Sequence, residues 1–434
     1  MIRRVLIITS SYCPTMLADM HRARHLAWEL PKFDWEPEIL SPGTAYQPPS
    51  SIDRDSADFF PQAGKVGSIG PFLPSVFRLL RIRGSGWRAF IPMFLAGNRR
   101  LRVGVDLIYF STTQFSLFLL GPIWRLWFGT PYVLDLHDPC VKEDLGTLRR
   151  DLRFRDWLVQ KLSRRIEAVA VRHATGLVSV SPHYLETMSA RYLTAQPAWA
   201  FSNRAVVIPF AALQRDLTEA ARGAPPVCAD REGVRIIYVG AGGPIMARSF
   251  ALLCDGLATV FQLKPHLRES VRIELYGTML DSAPVGGPRY LAELGARSGL
   301  AGIILEEPER VSYRRSLELL LAADGAIILG VDDAGYMPSK LMSYALSGKP
   351  LLAVLRRDGP AYRMFEQNTS FGQAIWFDNS AEMPKAEVAT VVASFLAQCN
   401  SKESFDRRSA LRPYLAPAMA RRHVELFGAC LNRV

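Results

Sequence analysis

Short runs of branched apolar residues recur along the chain. Each ends in a polar or glycine-containing turn and is followed by apolar positions at helical spacing. Residues 4–8 form such a run, closed by a Ser/Pro-containing turn, and helical periodicity follows at about 19–30. Residues 235–239 form another, closed by Gly240-Ala241-Gly242-Gly243-Pro244, with helical spacing over about 248–261. Strand, tight loop and helix is how a doubly wound α/β domain opens, so two openings predict two Rossmann-like halves. Further buried parallel strands are predicted at 106–110, 132–135, 176–180 and 206–209, then at 271–276, 302–305, 325–329 and 351–354. Residues 211–233, rich in Ala, Gly, Pro and charge, read as a linker about which the two halves hinge. The expected division is 1–215, 216–408 and a helical tail, 409–434, that packs back on the first domain.

Composition narrows the class. With 434 residues, 49% of them hydrophobic and 21% charged, the chain is a folded protein too long for one ordinary core. The first apolar run stops after a few residues, too soon for a signal-peptide core. The longest apolar stretch, 115–128, is interrupted by Pro122 and Arg125 and falls short of the ~20 residues that span a bilayer. Six scattered cysteines without a C-x-x-C pair suit reduced thiols, and a cytoplasmic location is expected. The net charge of +11 is unevenly spread. No Asp or Glu occurs from Phe59 to Val105, where Arg78, Arg81, Arg83, Arg88, Arg99, Arg100 and Arg102 alternate with Phe77, Trp87, Phe90 and Phe94. The pattern of residues 77–102 predicts contact with an anionic membrane surface. A solvated basic face whose apolar residues pack inward is the alternative, and a nucleic-acid partner is not expected.

The most informative stretch is 332–350. Pro338 suits the first turn of a helix, Gly348 its C′ position, and Pro350 closes it off. Such a helix, following a buried strand, begins at the carboxyl edge of the sheet, where open α/β folds bind ligands. Backbone N–H groups there attract anions, and Ser339 and Lys340 add a hydroxyl and a cation, as a diphosphate site requires. The competing reading is a capped helix with a solvated lysine.

This stretch resembles the donor-site motif of GT-B-fold glycosyltransferases, in particular the retaining group called family 4. Residues 131–139, ending Asp135-Leu136-His137-Asp138-Pro139, resemble that group's D-x-H/R-D-P segment. Residues 174–181, Tyr238-Val239-Gly240, Leu275-Tyr276-Gly277 and Leu321-Ala322-Ala323-Asp324 resemble further segments, in order along nearly the whole chain. One departure stands out: the Glu pair of the family motif falls on Gly335 and Ser343, with Asp333 two residues ahead of the first.

The resemblance implies two Rossmann-like domains facing across a cleft, and transfer of a sugar from a nucleotide sugar to an acceptor hydroxyl. Retention of configuration and independence from metal are implied with it. It implies a sugar or lipid-linked acceptor and a role in cell-surface, exopolysaccharide or glycolipid synthesis. On the donor side it assigns Gly240, Gly242, Gly243, Arg248, Gly277, Arg310, Asp333, Tyr336, Ser339 and Lys340. The catalytic positions would be His137, Asp138 and Lys340. Apart from the resemblance, Asp19, His21, Arg22 and Arg24 read as an acceptor-facing loop and helix start, with an ordinary surface helix as the alternative. No cofactor beyond the nucleotide-sugar substrate is expected: Met246 breaks the G-x-G-x-x-G dinucleotide pattern. No metal is expected either, because His21 and His25 have ligand spacing but no adjoining Glu. A sugar-nucleotide epimerase or hydrolase, or a non-catalytic partner with a degenerate donor site, remains open beside this reading.

Overall fold

A computed structural model of the chain describes residues 2–15, 17, 19–60, 65–70, 85–141, 154–200, 203–223, 233–279, 288–402 and 404–432. The chain divides into two compact units. One is Met1–Pro209 together with Ala416–Val434, and the other is Phe210–Leu415.

The first unit is built on seven strands: β1 (Arg3–Ile8), β2 (Trp35–Pro42), β3 (Lys65–Ile69), β4 (Leu107–Ser111), β5 (Tyr132–Leu136), β6 (Gly176–Ser179) and β7 (Ala205–Val207). They pair in parallel in the order β3-β2-β1-β4-β5-β6-β7, with Val5 beside Leu107 and Ile108 beside Tyr132. Alternate residues point to opposite faces, and both faces are covered, as a parallel sheet demands. Leu6, Ile8, Ile108, Phe110 and Leu134 share a core with Met93, Trp124 and Val171 from helices Ser85–Val103, Leu120–Phe128 and Phe154–His173. Trp124 fits there because residue 97 is glycine: a Cβ at Gly97 would lie 2.2 Å from its ring. On the other face, Tyr109 meets His423 and Phe427 of helix Ala416–Leu431. Phe427 also packs edge-on against Trp35 at 5.3 Å between ring centroids. Arg204 fastens this helix by donating to the carbonyls of Ala429 and Asn432, which its C-terminal end would otherwise leave unsatisfied.

The second unit has six parallel strands: β8 (Val234–Val239), β9 (Val271–Tyr276), β10 (Ile304–Glu307), β11 (Gly325–Leu329), β12 (Leu351–Arg356) and β13 (Gln373–Phe377), in the order β10-β9-β8-β11-β12-β13. Phe250, Leu253 and Leu257 of helix Ala247–Leu263 pack with Val392 and Phe395 of helix Lys385–Asn400 in its core. The segment Pro244–Leu263 is long and apolar enough to cross a membrane by length and composition, and the packing of its residues marks it as a core helix. In each sheet the strand order reverses beside the first strand, between β1 and β4 and between β8 and β11. Those reversals are where ligands of open α/β sheets bind.

Several elements differ from the sequence reading. β2, β3 and β13 were not predicted. β2 carries Pro37, Pro42 and two glutamates, which disguise a strand. The prolines are tolerated because Pro37 is flanked only by β1 and Pro42 only by β3, so neither lies in the part flanked on both sides. Residues 211–233 are not a plain linker. Helix Gln214–Gly223 lies in the second unit against helix Tyr313–Ala322, with Tyr313 donating to Asp216 Oδ2 at 2.7 Å. The chain returns to the first unit at Ala416, not Ser409.

The returning helix supplies part of the first unit's core, so Phe427→Ala should cost about 3–5 kcal/mol, the range for truncating a buried aromatic. A chemical-denaturation curve of the variant, read with a probe specific to the first unit, checks this.

Candidate functional site

In the first unit, one carboxylate organises the carboxyl end of the sheet. Asp135 is wholly buried in β5, and its Oδ2 accepts from Tyr109 at 2.7 Å and His137 Nε2 at 2.5 Å, with Arg22 Nε at 2.9 Å. Burial alone would raise its pKa. Arg22 first, and then His137, more than offset this and hold it at about 2. Tyr109 also lies 2.9 Å from His423 Nε2, and His423 Nδ1 is 2.8 Å from the Met419 carbonyl. Burial, reinforced by the charge of Arg22, pushes His423 down to about 3, so its imidazole is neutral near pH 7. Its one N–H then serves Met419, and the single proton of Tyr109 lies between two acceptors, Asp135 and His423.

This arrangement corrects the acceptor-side assignment. Arg22 and Arg24 are buried, not presented to a ligand. Arg22 is held by Asp135 and donates to the Ile208 carbonyl at 2.7 Å, while Arg24 donates to the Phe59 carbonyl at 2.9 Å and stacks over Phe60. His21 is half-buried, with Nδ1 3.4 Å from Arg24. Asp138 is exposed, whereas His137, one residue earlier, is buried and committed to Asp135. The groups gathered at the β1/β4 reversal are others. Asp19 accepts from Ser10, from Ser11 at 3.2 Å and from Thr113 at 3.4 Å, and Ser111 Oγ lies 3.5 Å from His137 Nε2. The sequence reading missed Asp135, Tyr109 and His423. An Asp inside an otherwise apolar strand was the available signal, since such a charge must be paired.

In the second unit, the loops after β8, β9 and β11 converge. Lys340 is exposed along part of its length, but its ammonium donates to the Val239 carbonyl at the end of β8, at 2.5 Å. Desolvation there, and next the charge of Arg310, push its pKa down to about 8. Tyr344 joins the same point, its hydroxyl accepting from the Val239 N–H at 3.1 Å. Arg310 is exposed and lies beyond β10, beside Gly277. Gly243 holds φ at +75°, which only glycine adopts readily, and a Cβ at Gly242 would come within 2.6 Å of Thr278. The N–H groups of Gly240 and Gly242 bond to the Tyr276 and Thr278 carbonyls, so they fasten the loop to β9 instead of turning outward to phosphate.

Two further expectations change here. The helix opens at Leu341 and ends at Leu346, not over 338–347. Pro338 and Ser339 lie in the preceding turn, where Leu341 N donates to the Pro338 carbonyl. Six residues give little dipole, so any anion site must rest on the Lys340 side chain rather than on a helix end. Arg248 is committed as well: it bonds Glu382 at 2.9 Å, Asp332 at 3.2 Å and the Asp378 carbonyl at 2.6 Å. Arg356 holds the other oxygen of Asp332 at 2.6 Å and grips Asp358 with two bonds. Asp333 accepts from the Gly335 N–H at 2.7 Å in a tight turn, and Tyr336 is half-buried beside it in a shallow recess lined also by Gly330, Leu355 and Gly359. At the far end, Gly348 is left-handed as expected, and buried Arg407 donates to the carbonyls of Ala345, Lys349 and Ser370.

With this geometry in hand, comparison with known proteins gives the class. Residues 21–210 match the family model of the glycosyl transferase 4-like domain. Among solved structures, HepE from Anabaena, crystallised with UDP and glucose, aligns over 98% of this chain and 99% of its own, with a TM-score of 0.58 and 15% identity. A UDP-forming α,α-trehalose-phosphate synthase from Burkholderia vietnamiensis aligns over 98% and 99%, with a TM-score of 0.61 and 12% identity. A trehalose-6-phosphate structure from E. coli, bound with UDP-2-fluoro glucose, reaches a TM-score of 0.62 at 11% identity over 98% and 99%. No curated protein matches the sequence significantly. The chain has the GT-B fold class, two Rossmann-like domains, and residues 21–210 of its N-terminal unit are similar to the glycosyl transferase 4-like domain.

Removing the charge at the centre of the first-unit cluster leaves Arg22 buried without its counter-ion. Asp135→Asn should therefore destabilise by about 3–5 kcal/mol. Because the folded-state pKa of Asp135 is depressed, its contribution is full above the ordinary carboxylate pKa of about 4 and is lost as pH falls toward about 2. Unfolding followed from pH 6 to pH 2 should show a smaller acid-limb loss in the variant than in the wild type.

Proposed function

We propose that the chain transfers a sugar from a nucleotide sugar to an acceptor hydroxyl, with Lys340 as the cation that meets the donor diphosphate. One observation carries this reading. Lys340 is fixed at the carboxyl end of β8, beside the β8/β11 reversal, where desolvation and then the charge of Arg310 depress its pKa. Two cations that raise each other's energy are relieved by a dianion placed between them, as a departing nucleoside diphosphate would be. Stabilisation then grows as negative charge develops on the leaving group, which is the condition for accelerating transfer. The relatives solved with UDP or a UDP-sugar support a uridine donor.

On the acceptor side, half-buried Thr113, at the edge of the buried Ser10, Ser11 and Asp19 group, is the hydroxyl placed to meet an acceptor. His137 is positioned by Asp135 rather than by the exposed Asp138. The reading further includes retention of configuration, transfer without metal or other cofactor, a cytoplasmic location and a place in cell-surface glycan or glycolipid synthesis. The family 4 resemblance motivates all of these except the location, which the scattered cysteines motivate.

Lys340→Ala should lower turnover of UDP-sugars by roughly 10²–10³-fold, as loss of one preorganised charge-stabilising donor does. Lys385→Ala, an exposed lysine on the outside of the second unit, should leave turnover near normal. Because Lys340 is a cation below about pH 8 and neutral above it, UDP affinity should fall as pH rises from 7 to 9 in the wild type and change less in Lys340→Ala. Isothermal titration across that range measures it; equal pH slopes in the two proteins would remove Lys340 from the donor site. Turnover should also survive EDTA, and a loss that Mg²⁺ or Mn²⁺ restores would overturn the metal-free part of the reading.

A further inference from the structure

Three helices cover one face of the first sheet: Ser85–Val103, Leu120–Phe128 and Phe154–His173. The first and second touch through an edge-on Phe94–Trp127 contact at 5.3 Å, and the second packs against the third. Their inner sides supply the core, and their outer sides should therefore be polar. They are not. On the first helix Trp87, Ile91 and Leu95 stand one turn apart and are 37%, 46% and 48% exposed. On the second, Leu126 and Trp127 are 83% and 60% exposed, and on the third Trp157, Leu158 and Leu162 face outward.

Single exposed apolar residues are ordinary, but a run shared by adjacent helices marks a surface that something covers. The charge pattern identifies the cover. Arg99 and Arg102 continue the Trp87–Ile91–Leu95 stripe at helical spacing, and both are exposed. Lys161, Arg164 and Arg165 are exposed on the third helix, where Lys161 lies over the Trp157 ring. The acid of that turn, Glu167, is buried against Arg191 and Tyr192. The helix Ser85–Val103 contains no Asp or Glu. Not all the basic residues contribute: Arg100 is bonded to Glu38 and Arg88 lies over Tyr46.

We infer that the outer face of these three helices is a docking surface for an anionic lipid bilayer, with the tryptophans and aliphatic side chains in the interfacial layer and the Arg/Lys residues on the headgroups. Tryptophan prefers that layer because its ring is apolar and its N–H is polar. A protein partner would need acidic side chains matched to five dispersed cations, whereas a charged lipid surface matches any spacing. The sequence pattern pointed to residues 77–102, of which 77–84 lie outside the described residues. The structure adds the second and third helices and the outward orientation of the apolar stripe, which a solvated basic face would not have.

The inference is tested on the whole chain by co-sedimentation with vesicles of phosphatidylcholine alone and of phosphatidylcholine with an equimolar amount of phosphatidylglycerol. Binding to the mixed vesicles should exceed binding to neutral ones and weaken with salt. Each basic residue near such a surface contributes about fivefold to the partition coefficient, so Arg99→Gln with Arg102→Gln should weaken binding about 20- to 30-fold. Leu126→Ser with Trp127→Ser should weaken it about tenfold or more, with little change in melting temperature, since both side chains are 60% or more exposed. Equal partitioning into neutral and anionic vesicles would overturn the inference. So would unchanged binding in both double variants, or a concentration-dependent dimer in lipid-free buffer that the Leu126/Trp127 variant abolishes, which would assign the face to a second copy of the chain.

Discussion

The first unit depends on one buried negative charge. Asp135 lies in the middle of a parallel sheet, where an unpaired carboxylate would not stay ionised, and its environment is built from distant parts of the chain. Arg22 comes from the helix after β1, Tyr109 from β4, His137 from the loop after β5 and, through Tyr109, His423 from the last helix. Four segments therefore share one electrostatic requirement. The same requirement sets the orientation of His137, whose Nε2 is turned inward to the carboxylate. Geometry near the β1/β4 reversal is thus tied to packing on the opposite side of the β4–β5 pair, where the last helix lies.

The two units handle charge at their sheet reversals in opposite ways. At β1/β4 the carboxylate Asp19 is buried and satisfied by neutral hydroxyls. At β8/β11 a lysine is desolvated against a backbone carbonyl, with the charge of Arg310 adding to the cost of its own. The neighbouring arginines, Arg248 and Arg356, share Asp332 and hold further acids, so their charge is already balanced. Lys340 differs from both in bonding a backbone carbonyl, that of Val239.

Much of the fold was legible in the sequence, because buried parallel strands are short apolar runs and ten of the thirteen were predicted from that pattern. The three missed strands lack it: β2 is interrupted by prolines and glutamates, β3 by Gly67 and Ser68, and β13 is an edge strand buried only at Ile375 and Phe377. The segment around Lys340 was legible as a turn and helix after β11, from the chemistry of Pro338 and Gly348, even though the helix proved shorter. It was less legible for Arg22, Arg24 and Arg248. An arginine near a motif reads the same whether it faces a ligand or an internal acid, and only the fold brings Asp135, the Phe59 carbonyl and Asp332 to these three. Asp135 itself was quoted as part of a segment but given no role, since its partners lie far away in sequence.

The return of helix Ala416–Leu431 to the first unit has a consequence for synthesis. The ribosome emits the strands of the first sheet early, but the helix that covers Tyr109, Trp35 and the Asp135 cluster only at the end. Roughly two hundred residues of the second unit intervene, about 10–40 s of elongation at usual rates. The second unit is continuous in sequence and can complete its core during that interval. The nascent first unit, by contrast, waits with one aromatic face of its sheet uncovered, and the order of maturation is reversed from the order of translation.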